Sequence, residues 1–181
     1  MAKYYDTLTD ELKDFIHQQK IFFVGTAPRG EGEVHIAPKG YDILRILNDN
    51  HIVYLDYYGS GNDTATHLAE NGKITLMWCG FDSQPCILRA FGKGDVIAKG
   101  TDEFARLLKS CFPNYNEAIV RQLFSIKIHK VMTSCGNGVP LMKYEDDRKA
   151  LQEWSEKKFV KSLYKKKDDD HNQELRQGRV S

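Results

Sequence analysis

The chain has 181 residues, a length that suits one globular domain with a substantial hydrophobic core. Its 26 basic and 25 acidic side chains leave a formal net charge of +1, so charge does not favour a nucleic acid or an anionic membrane as partner. No stretch is apolar enough to span a membrane, and the polar N-terminus lacks the apolar core of a secretory signal. We therefore expect a cytoplasmic protein that binds a small molecule.

The N-terminal part predicts one short helix followed by four strands. Acidic residues at Asp10 and Glu11 favour a helix N-terminus, and Leu12, Phe15 and Ile16 follow helical spacing. β-branched and aromatic runs, separated by Gly, Pro or Asn, predict strands at residues 21–27, 33–38, 41–47 and 51–57. We expect these four strands to form an antiparallel meander.

The next part predicts two helices and three more strands. A brief helix is expected at residues 64–71, and a second helix begins after the N-cap residue Thr101. Strands are predicted at residues 73–81, 86–97 and 123–133, which makes roughly six or seven in all. Gly92 and Gly94 suggest a bulge or bend that curls the sheet. Many strands with few helices favour a mainly β (α+β) barrel over a doubly wound sheet.

The C-terminal part is strongly charged. Leu151, Trp154, Phe159 and Leu163 can pack a terminal helix, whereas residues 165–181 hold blocks of Lys and Asp with little to bury. We predict a domain over residues 1–145, a helical extension over 146–164 and a disordered tail over 165–181.

The cysteines lack the spacing of a metal site or a disulfide framework. Cys79, Cys86, Cys111 and Cys135 form no C-x-x-C pair and have apolar neighbours. This pattern favours reduced thiols and no metal site. We expect the first three to be core residues. No base stands beside Cys135 in the sequence, so a nucleophilic role is not expected.

The most informative motif is GSGNDT, at residues 59–64 between a predicted strand and a predicted helix. Small residues let the backbone approach an anion, and the hydroxyls of Ser60 and Thr64 can donate hydrogen bonds. The amides that open the helix after Asn62 carry a partial positive charge. The spacing fits neither a P-loop nor a dinucleotide-binding motif. On these residues alone, a phosphate-binding loop and a plain turn remain the two interpretations.

Four segments in this order resemble the pyridoxamine 5'-phosphate oxidase-like FMN-binding split-barrel family. They are VHIAPKG (34–40), GSGNDT with the following helix (59–72), LRAFGKG (88–94) and TSCGNGVP (133–140). The resemblance covers residues 9–145 and implies an antiparallel split β-barrel with short flanking helices. It also implies FMN as the cofactor, bound at the interface of a homodimer. We expect Ile74, Leu76 and Trp78 in a surface that such a dimer covers.

The resemblance further implies which residues hold FMN. For the isoalloxazine ring these are Pro38, Tyr54, Leu55 and Asp56, and for the phosphate Lys39, Ser60, Gly61, Asn62, Thr64 and Arg89. A solvated or ion-paired surface role is the alternative for Lys39 and Arg89. His35 and His67 are more typical of structural histidines than of residues that touch flavin or substrate.

The function implied by the resemblance is that of an FMN-dependent oxidoreductase whose flavin exchanges hydride with an unidentified substrate. No catalytic acid or base is assigned. Two alternatives stay open: a flavin carrier or sensor without turnover, and a heme or deazaflavin bound in the same cleft. Pyridoxamine phosphate oxidases recognise their substrate through an Arg-Leu-x-Pro ending, whereas this chain ends in RQGRVS. Turnover of that substrate is therefore not expected.

Overall fold

The structure is a computed structural model that describes residues 2–159 and residue 161. The strands are β1 (Lys3–Tyr5), β2 (Phe22–Thr26), β3 (His35–Lys39), β4 (Leu44–Asn48), β5 (His51–Tyr57), β6 (Lys73–Cys79), β7 (Cys86–Ala98) and β8 (Val120–Cys135). The helices are α1 (Asp10–Gln18), α2 (Asp63–Asn71), α3 (Asp102–Cys111) and α4 (150–159), with a 3-10 turn at Glu117–Ile119. Within the described residues no helix has the length and apolarity to cross a bilayer.

One antiparallel sheet contains all eight strands of the described residues, in the order β3-β2-β6-β7-β8-β5-β4, with β1 added to β8. This confirms the mainly β fold with short flanking helices. The meander prediction is wrong, because β3 and β4 lie at opposite ends of the sheet. The hairpins β2–β3 and β4–β5 form locally, but β2 then pairs with β6 and β5 pairs with β8. The curled sheet brings its two ends back together, since Lys39 of β3 lies 3.1 Å from Asp56 of β5.

All seven predicted strands are present, with ends that shift by up to three residues. The strand predicted from residue 41 begins at Leu44, because Tyr41 has a φ of 64°, outside the extended region. The short, largely exposed strand β1 was not predicted, since three residues carry too little apolar periodicity. At the start of α3, the Thr101 side chain accepts a hydrogen bond from the Phe104 amide at 3.2 Å, which confirms the predicted cap.

The bend in β7 lies at Gly92, as predicted. The β7–β8 register shifts between Phe91 and Gly92, and a Cβ at Gly92 would lie 2.7 Å from the Lys127 carbonyl oxygen. Only glycine allows this approach of the two backbones. At Gly94 an added Cβ would lie 3.0 Å from the Leu68 side chain, so α2 packs closely on β7. This packing sets the position of the N-terminus of α2.

The core fills the inside of the curled sheet. Ile74, Leu76 and Trp78 belong to it, with exposures of 4%, 0% and 1%, so the prediction that a dimer surface contains them is wrong. Alternate residues of a strand face the same side, and on β6 these three face inward. Trp78 stacks on Phe22 at 5.9 Å between ring centroids.

The C-terminal helix α4 contacts the barrel through Ser155, which is buried and donates to the Tyr58 carbonyl oxygen at 2.9 Å. The predicted domain division at residue 145 stays a prediction. The predicted tail over 165–181 lies outside the described residues, as does the end of the predicted helical extension.

Candidate functional site

A cleft of about 280 Å³ opens where the two ends of the sheet face each other. Its walls come from β3, β5, the loop that follows β5 and the first turn of α2. Eight of the ten predicted cofactor residues line it: Pro38, Lys39, Leu55, Asp56, Ser60, Gly61, Asn62 and Thr64. Two segments that are distant in sequence, 38–39 and 55–64, therefore meet in one place.

An ion pair lies in one wall of the cleft. The Lys39 Nζ is 3.1 Å from the Asp56 Oδ1, and both side chains are mostly buried. The other oxygen of Asp56 accepts from the Gln122 Nε2 at 3.1 Å. From the sequence alone, an ion-paired surface role was the alternative for Lys39. Lys39 is indeed ion-paired, but it lies in the wall of the cleft and not on the open surface. The pair leaves this wall with a fixed ammonium and little net charge.

The glycine-rich loop is held from behind by Arg121, a residue that the sequence did not single out. Its guanidinium donates to the Gly59 carbonyl oxygen at 2.6 Å, to the Gly61 carbonyl oxygen, and to the Asn62 Oδ1 at 3.2 Å. It also lies over the Tyr58 ring, 5.5 Å from the centroid. No short sequence motif could predict this role, because Arg121 lies 59 to 62 positions away from the groups that it binds.

The N-terminus of α2 has no side-chain cap. Asn62 occupies the N-cap position but accepts no hydrogen bond from the helix amides. Its Oδ1 accepts instead from the Gln122 Nε2 at 2.7 Å and from Arg121. Gln122 thereby joins Asp56 at one end of the cleft to Asn62 at the other. The opening amides of α2 stay available to a bound anion, next to Ser60 and Thr64.

The two histidines differ in their surroundings. His67 is buried, and its Nδ1 is hydrogen-bonded to the Thr26 Oγ1 at 3.0 Å, which fits a structural histidine. His35 lines the cleft, with its Nδ1 3.7 Å from the Asp63 Oδ2. The rings meet edge to face at 6.4 Å. Of the two, His35 is the residue that a ligand in the cleft can reach.

Tyr54, predicted to contact the flavin ring, lies in the core and not in the cleft. Its ring stacks on Phe124 at 4.8 Å, and Phe124 itself lines the cleft. The Tyr54 hydroxyl is buried and has no hydrogen-bond partner among the described residues. Burial, reinforced by the nearby Asp56 carboxylate, raises the pKa of Tyr54 well above its ordinary value. This hydroxyl is therefore a neutral group that the core does not use.

Replacing Tyr54 by Phe should stabilise the ligand-free protein, because a buried hydroxyl without a partner costs about 1 to 3 kcal/mol. We expect Tyr54→Phe to raise the free energy of unfolding by about 1 kcal/mol in urea titrations. Tyr57→Phe is the matched control: the Tyr57 hydroxyl accepts from the Gln152 Nε2 at 3.2 Å, so its loss should lower stability. A destabilised Tyr54→Phe protein would mean that the hydroxyl has a partner, such as a buried water molecule.

Arg89 also lies outside the cleft of its own chain. Its guanidinium donates to the Ser134 Oγ at 3.2 Å, at the end of the sheet where β6, β7 and β8 meet. Arg89 is not among the residues that line the cleft. Within one chain, then, Arg89 is not part of the cleft wall that contains Ser60 and Thr64.

Sequence comparison decides the family. Residues 8–135 match the family model described as pyridoxamine 5'-phosphate oxidase. The pyridoxamine 5'-phosphate oxidase family protein ustO of Aspergillus flavus is 36% identical over 144 residues, which is 78% of this chain. The chain belongs to the pyridoxamine 5'-phosphate oxidase family. It covers 57% of that relative, so it spans little more than half of the relative's length.

Solved structures similar to this member of the pyridoxamine 5'-phosphate oxidase family share its fold. HupZ of Group A Streptococcus superposes with a TM-score of 0.57 and 19% identity, over 70% of this chain and 99% of that chain. HutZ of Vibrio cholerae, described as a heme storage protein, gives a TM-score of 0.51 and 12% identity, over 72% and 97% of the two chains. The split-barrel fold implied by the sequence motifs is confirmed.

Proposed function

We propose that the chain binds FMN in the cleft and acts as an FMN-dependent oxidoreductase. The observation that carries this proposal is the uncapped N-terminus of α2, which faces the same cleft as the Lys39–Asp56 pair. An uncapped helix N-terminus suits a phosphate, because its amides donate and its dipole favours negative charge. A wall of apolar groups with one fixed ammonium suits a flat heteroaromatic ring that carries carbonyl oxygens. FMN combines these two parts in one molecule.

The residues of the cleft fit FMN part by part. Ser60, Gly61, Asn62 and Thr64 would hold the phosphate. Pro38 and Leu55 would pack on the isoalloxazine ring. The Lys39 ammonium, expected at the phosphate from the sequence, would instead donate to the ring, because it pairs with Asp56 next to Leu55. Asp56 would keep Lys39 in position through their 3.1 Å contact. When bound, FMN supplies hydride transfer, whereas the chain supplies binding, orientation and electrostatics.

The absorption spectrum of the purified protein separates FMN from heme. We expect the two near-visible bands of an oxidised flavin. Heme is the second candidate, because HutZ shares the fold and His35 lines the cleft. A Soret band, lost in a His35→Ala variant but kept in a variant of the buried His67, would replace the flavin proposal by the heme proposal.

A hydride-transfer assay separates an enzyme from a carrier. Under anaerobic conditions, we expect NADH, NADPH or another reduced substrate to bleach the bound flavin faster than it bleaches free FMN. The reason is that the protein holds the flavin in an orientation that favours hydride transfer. Pyridoxamine phosphate should give little or no pyridoxal phosphate. If no donor in a broad panel accelerates bleaching while FMN stays stoichiometrically bound, the protein is a flavin carrier or sensor.

We further propose a homodimer in which each FMN touches both chains. The cleft of about 280 Å³ is just below the range for ligand pockets, about 300 to 1,000 Å³, and it is open to solvent. Val34 and Ile36 are 69% and 66% exposed beside the half-buried Phe91, in a groove on the outer face of the sheet. Such an apolar patch favours association. The partner subunit's Arg89 would then complete the phosphate site.

Mixed dimers test this shared site. Arg89→Ala should weaken FMN binding by about 1.5 to 3 kcal/mol, the range for a hydrogen bond to a charged group. Arg121→Met should disable the loop of its own chain. If Arg89 acts across the interface, a dimer of one Arg89→Ala chain and one Arg121→Met chain contains one intact site. We therefore expect titration to give half of the sites with wild-type affinity, whereas none at wild-type affinity would place Arg89 and the loop in the same chain's site. Unchanged affinity in the Arg89→Ala homodimer would remove Arg89 from the site altogether.

A further inference from the structure

Three of the four cysteines come together at one corner of the sheet. Cys79 ends β6, Cys86 begins β7 and Cys135 ends β8. Cys86 and Cys135 lie directly opposite each other in the β7–β8 register. All four cysteines are free thiols, and the corner lies outside the residues that line the cleft. Cys86 and Cys135 are 49 positions apart in the sequence, so the sequence alone does not predict that they lie side by side.

The hydrogen-bond pattern determines which kind of cross-strand pair they form. The Cys86 carbonyl oxygen accepts from the Gly80 amide at 2.8 Å, so the backbone polar groups of Cys86 face β6. Towards β8, Cys86 and Cys135 are therefore a non-hydrogen-bonded pair. In such pairs the Cα atoms are about 4.5 Å apart and both side chains lie on the same face. Disulfides accept Cα separations of about 4.4 to 6.8 Å, so bond formation needs little backbone movement.

Close backbone packing holds the two strand ends together. A Cβ at Gly136 would lie 2.5 Å from the Cys86 nitrogen and 2.8 Å from the Pro85 carbonyl carbon. The glycine turn after β8 is therefore pressed against the start of β7. Cys79 pairs with Ile87, whose side chain alternates to the opposite side of the sheet, but its thiol is close enough to Cys86 to help raise the pKa of Cys86. A bond between Cys79 and Cys86 is therefore the competing outcome of oxidation.

We propose that Cys86 and Cys135 form a reversible disulfide when the protein meets a small-molecule disulfide, RSSR. The sequence offered no base beside Cys135, but thiol–disulfide exchange needs only an accessible thiolate, so the exposed Cys135 acts as the nucleophile here. Its thiolate attacks RSSR, forms the Cys135–SR mixed disulfide and releases one RS⁻. The half-buried Cys86 thiolate then attacks the Cys135 sulfur, which forms the protein disulfide and releases the second RS⁻. The two thiol protons end on the released thiols, and RSSR takes up the two electrons. Burial raises the pKa of the Cys86 thiol, so the second step should accelerate as the pH rises.

The test exposes the folded full chain to oxidised glutathione and maps its peptides without reduction. We expect a peptide pair linked through Cys86 and Cys135, lighter by two hydrogens than the two free peptides and separated again by dithiothreitol. Alkylation of the oxidised wild-type protein should find Cys79 and Cys111 free, a readout that needs no variant. Cys111→Ser should leave the linkage unchanged, because Cys111 lies in α3.

Cys86→Ser should stop the reaction at the glutathione adduct of Cys135, and Cys135→Ser should give no linked peptides. A wild-type protein that keeps the Cys135 adduct with Cys86 free, or that links Cys135 to the same residue of a second chain, overturns the proposal. None of these readouts depends on FMN, so the outcome is independent of the proposed flavin function.

Discussion

FMN should bind at least about 100-fold more tightly than riboflavin, which lacks the phosphate. Two hydrogen bonds to a charged acceptor contribute about 3 kcal/mol or more together, and each 1.4 kcal/mol is a factor of ten in affinity. The donors are the uncapped amides of α2 and the hydroxyls of Ser60 and Thr64. Riboflavin would leave these groups without a charged partner. Calorimetric titration of the flavin-free protein with the two ligands measures the ratio.

The Thr64 hydroxyl offers a matched pair of variants for this prediction. Thr64 is buried and lines the cleft, whereas Thr66 is exposed two positions further along the same helix. We expect Thr64→Val to weaken FMN binding about tenfold and to leave riboflavin binding nearly unchanged. Thr66→Val should change neither affinity. Equal affinities for FMN and riboflavin in the unmodified protein would show that the glycine-rich loop is a plain turn.

Arg121→Met should raise the Kd for FMN about 10- to 1,000-fold, because it removes the hydrogen bonds that position the loop. A charge-assisted hydrogen bond contributes about 1.5 to 3 kcal/mol, and Arg121 donates to the Gly59 and Gly61 carbonyl oxygens and to Asn62. Since these contacts concern the phosphate end of the cleft, the Kd for riboflavin should change far less. Isothermal titration of both ligands gives the two ratios.

A measurement on the flavin-free protein tests the cause of this loss. If Arg121 positions the loop, amide hydrogen exchange over residues 59–64 should be faster in the Arg121→Met protein. The control is Arg106→Met, since Arg106 lies exposed on α3, with Glu103 at 3.9 Å. Unchanged exchange together with weaker FMN binding would mean that Arg121 contacts the phosphate itself. Unchanged exchange and unchanged affinity would remove Arg121 from the site.

Gln122 also links the two ends of the cleft. Gln122 donates to the Asp56 Oδ2 and to the Asn62 Oδ1, so the Lys39–Asp56 pair and the glycine-rich loop share one polar network. Hydrogen-bonded side-chain networks of this kind fix the relative position of their members. We infer that the network fixes the distance between the Lys39–Asp56 pair and the glycine-rich loop, which are the two ends of the proposed flavin site.

The sequence by itself determined most of the local structure and of the cleft wall. β-branched runs located seven strands, Gly92 located the bend, and GSGNDT located the loop before α2. These features depend on backbone sterics and on side chains close in sequence, so they are visible without the fold. Four short motifs also identified the family, which the comparisons confirm. Eight of the ten residues assigned to FMN line one cleft.

The tertiary structure alone decided what depends on long-range strand pairing. The pairing of β5 with β8 brings Arg121 and Gln122 behind the loop, and the pairing of β7 with β8 sets Cys86 opposite Cys135. The curl of the sheet buries Tyr54 behind Phe124 and separates Arg89 from the cleft. The apolar pattern of a strand predicts which of its side chains share a face of the sheet. It does not predict which distant strand pairs with it. For that reason the predicted meander and the predicted exposure of Ile74, Leu76 and Trp78 were wrong, although seven of the eight described strands were predicted.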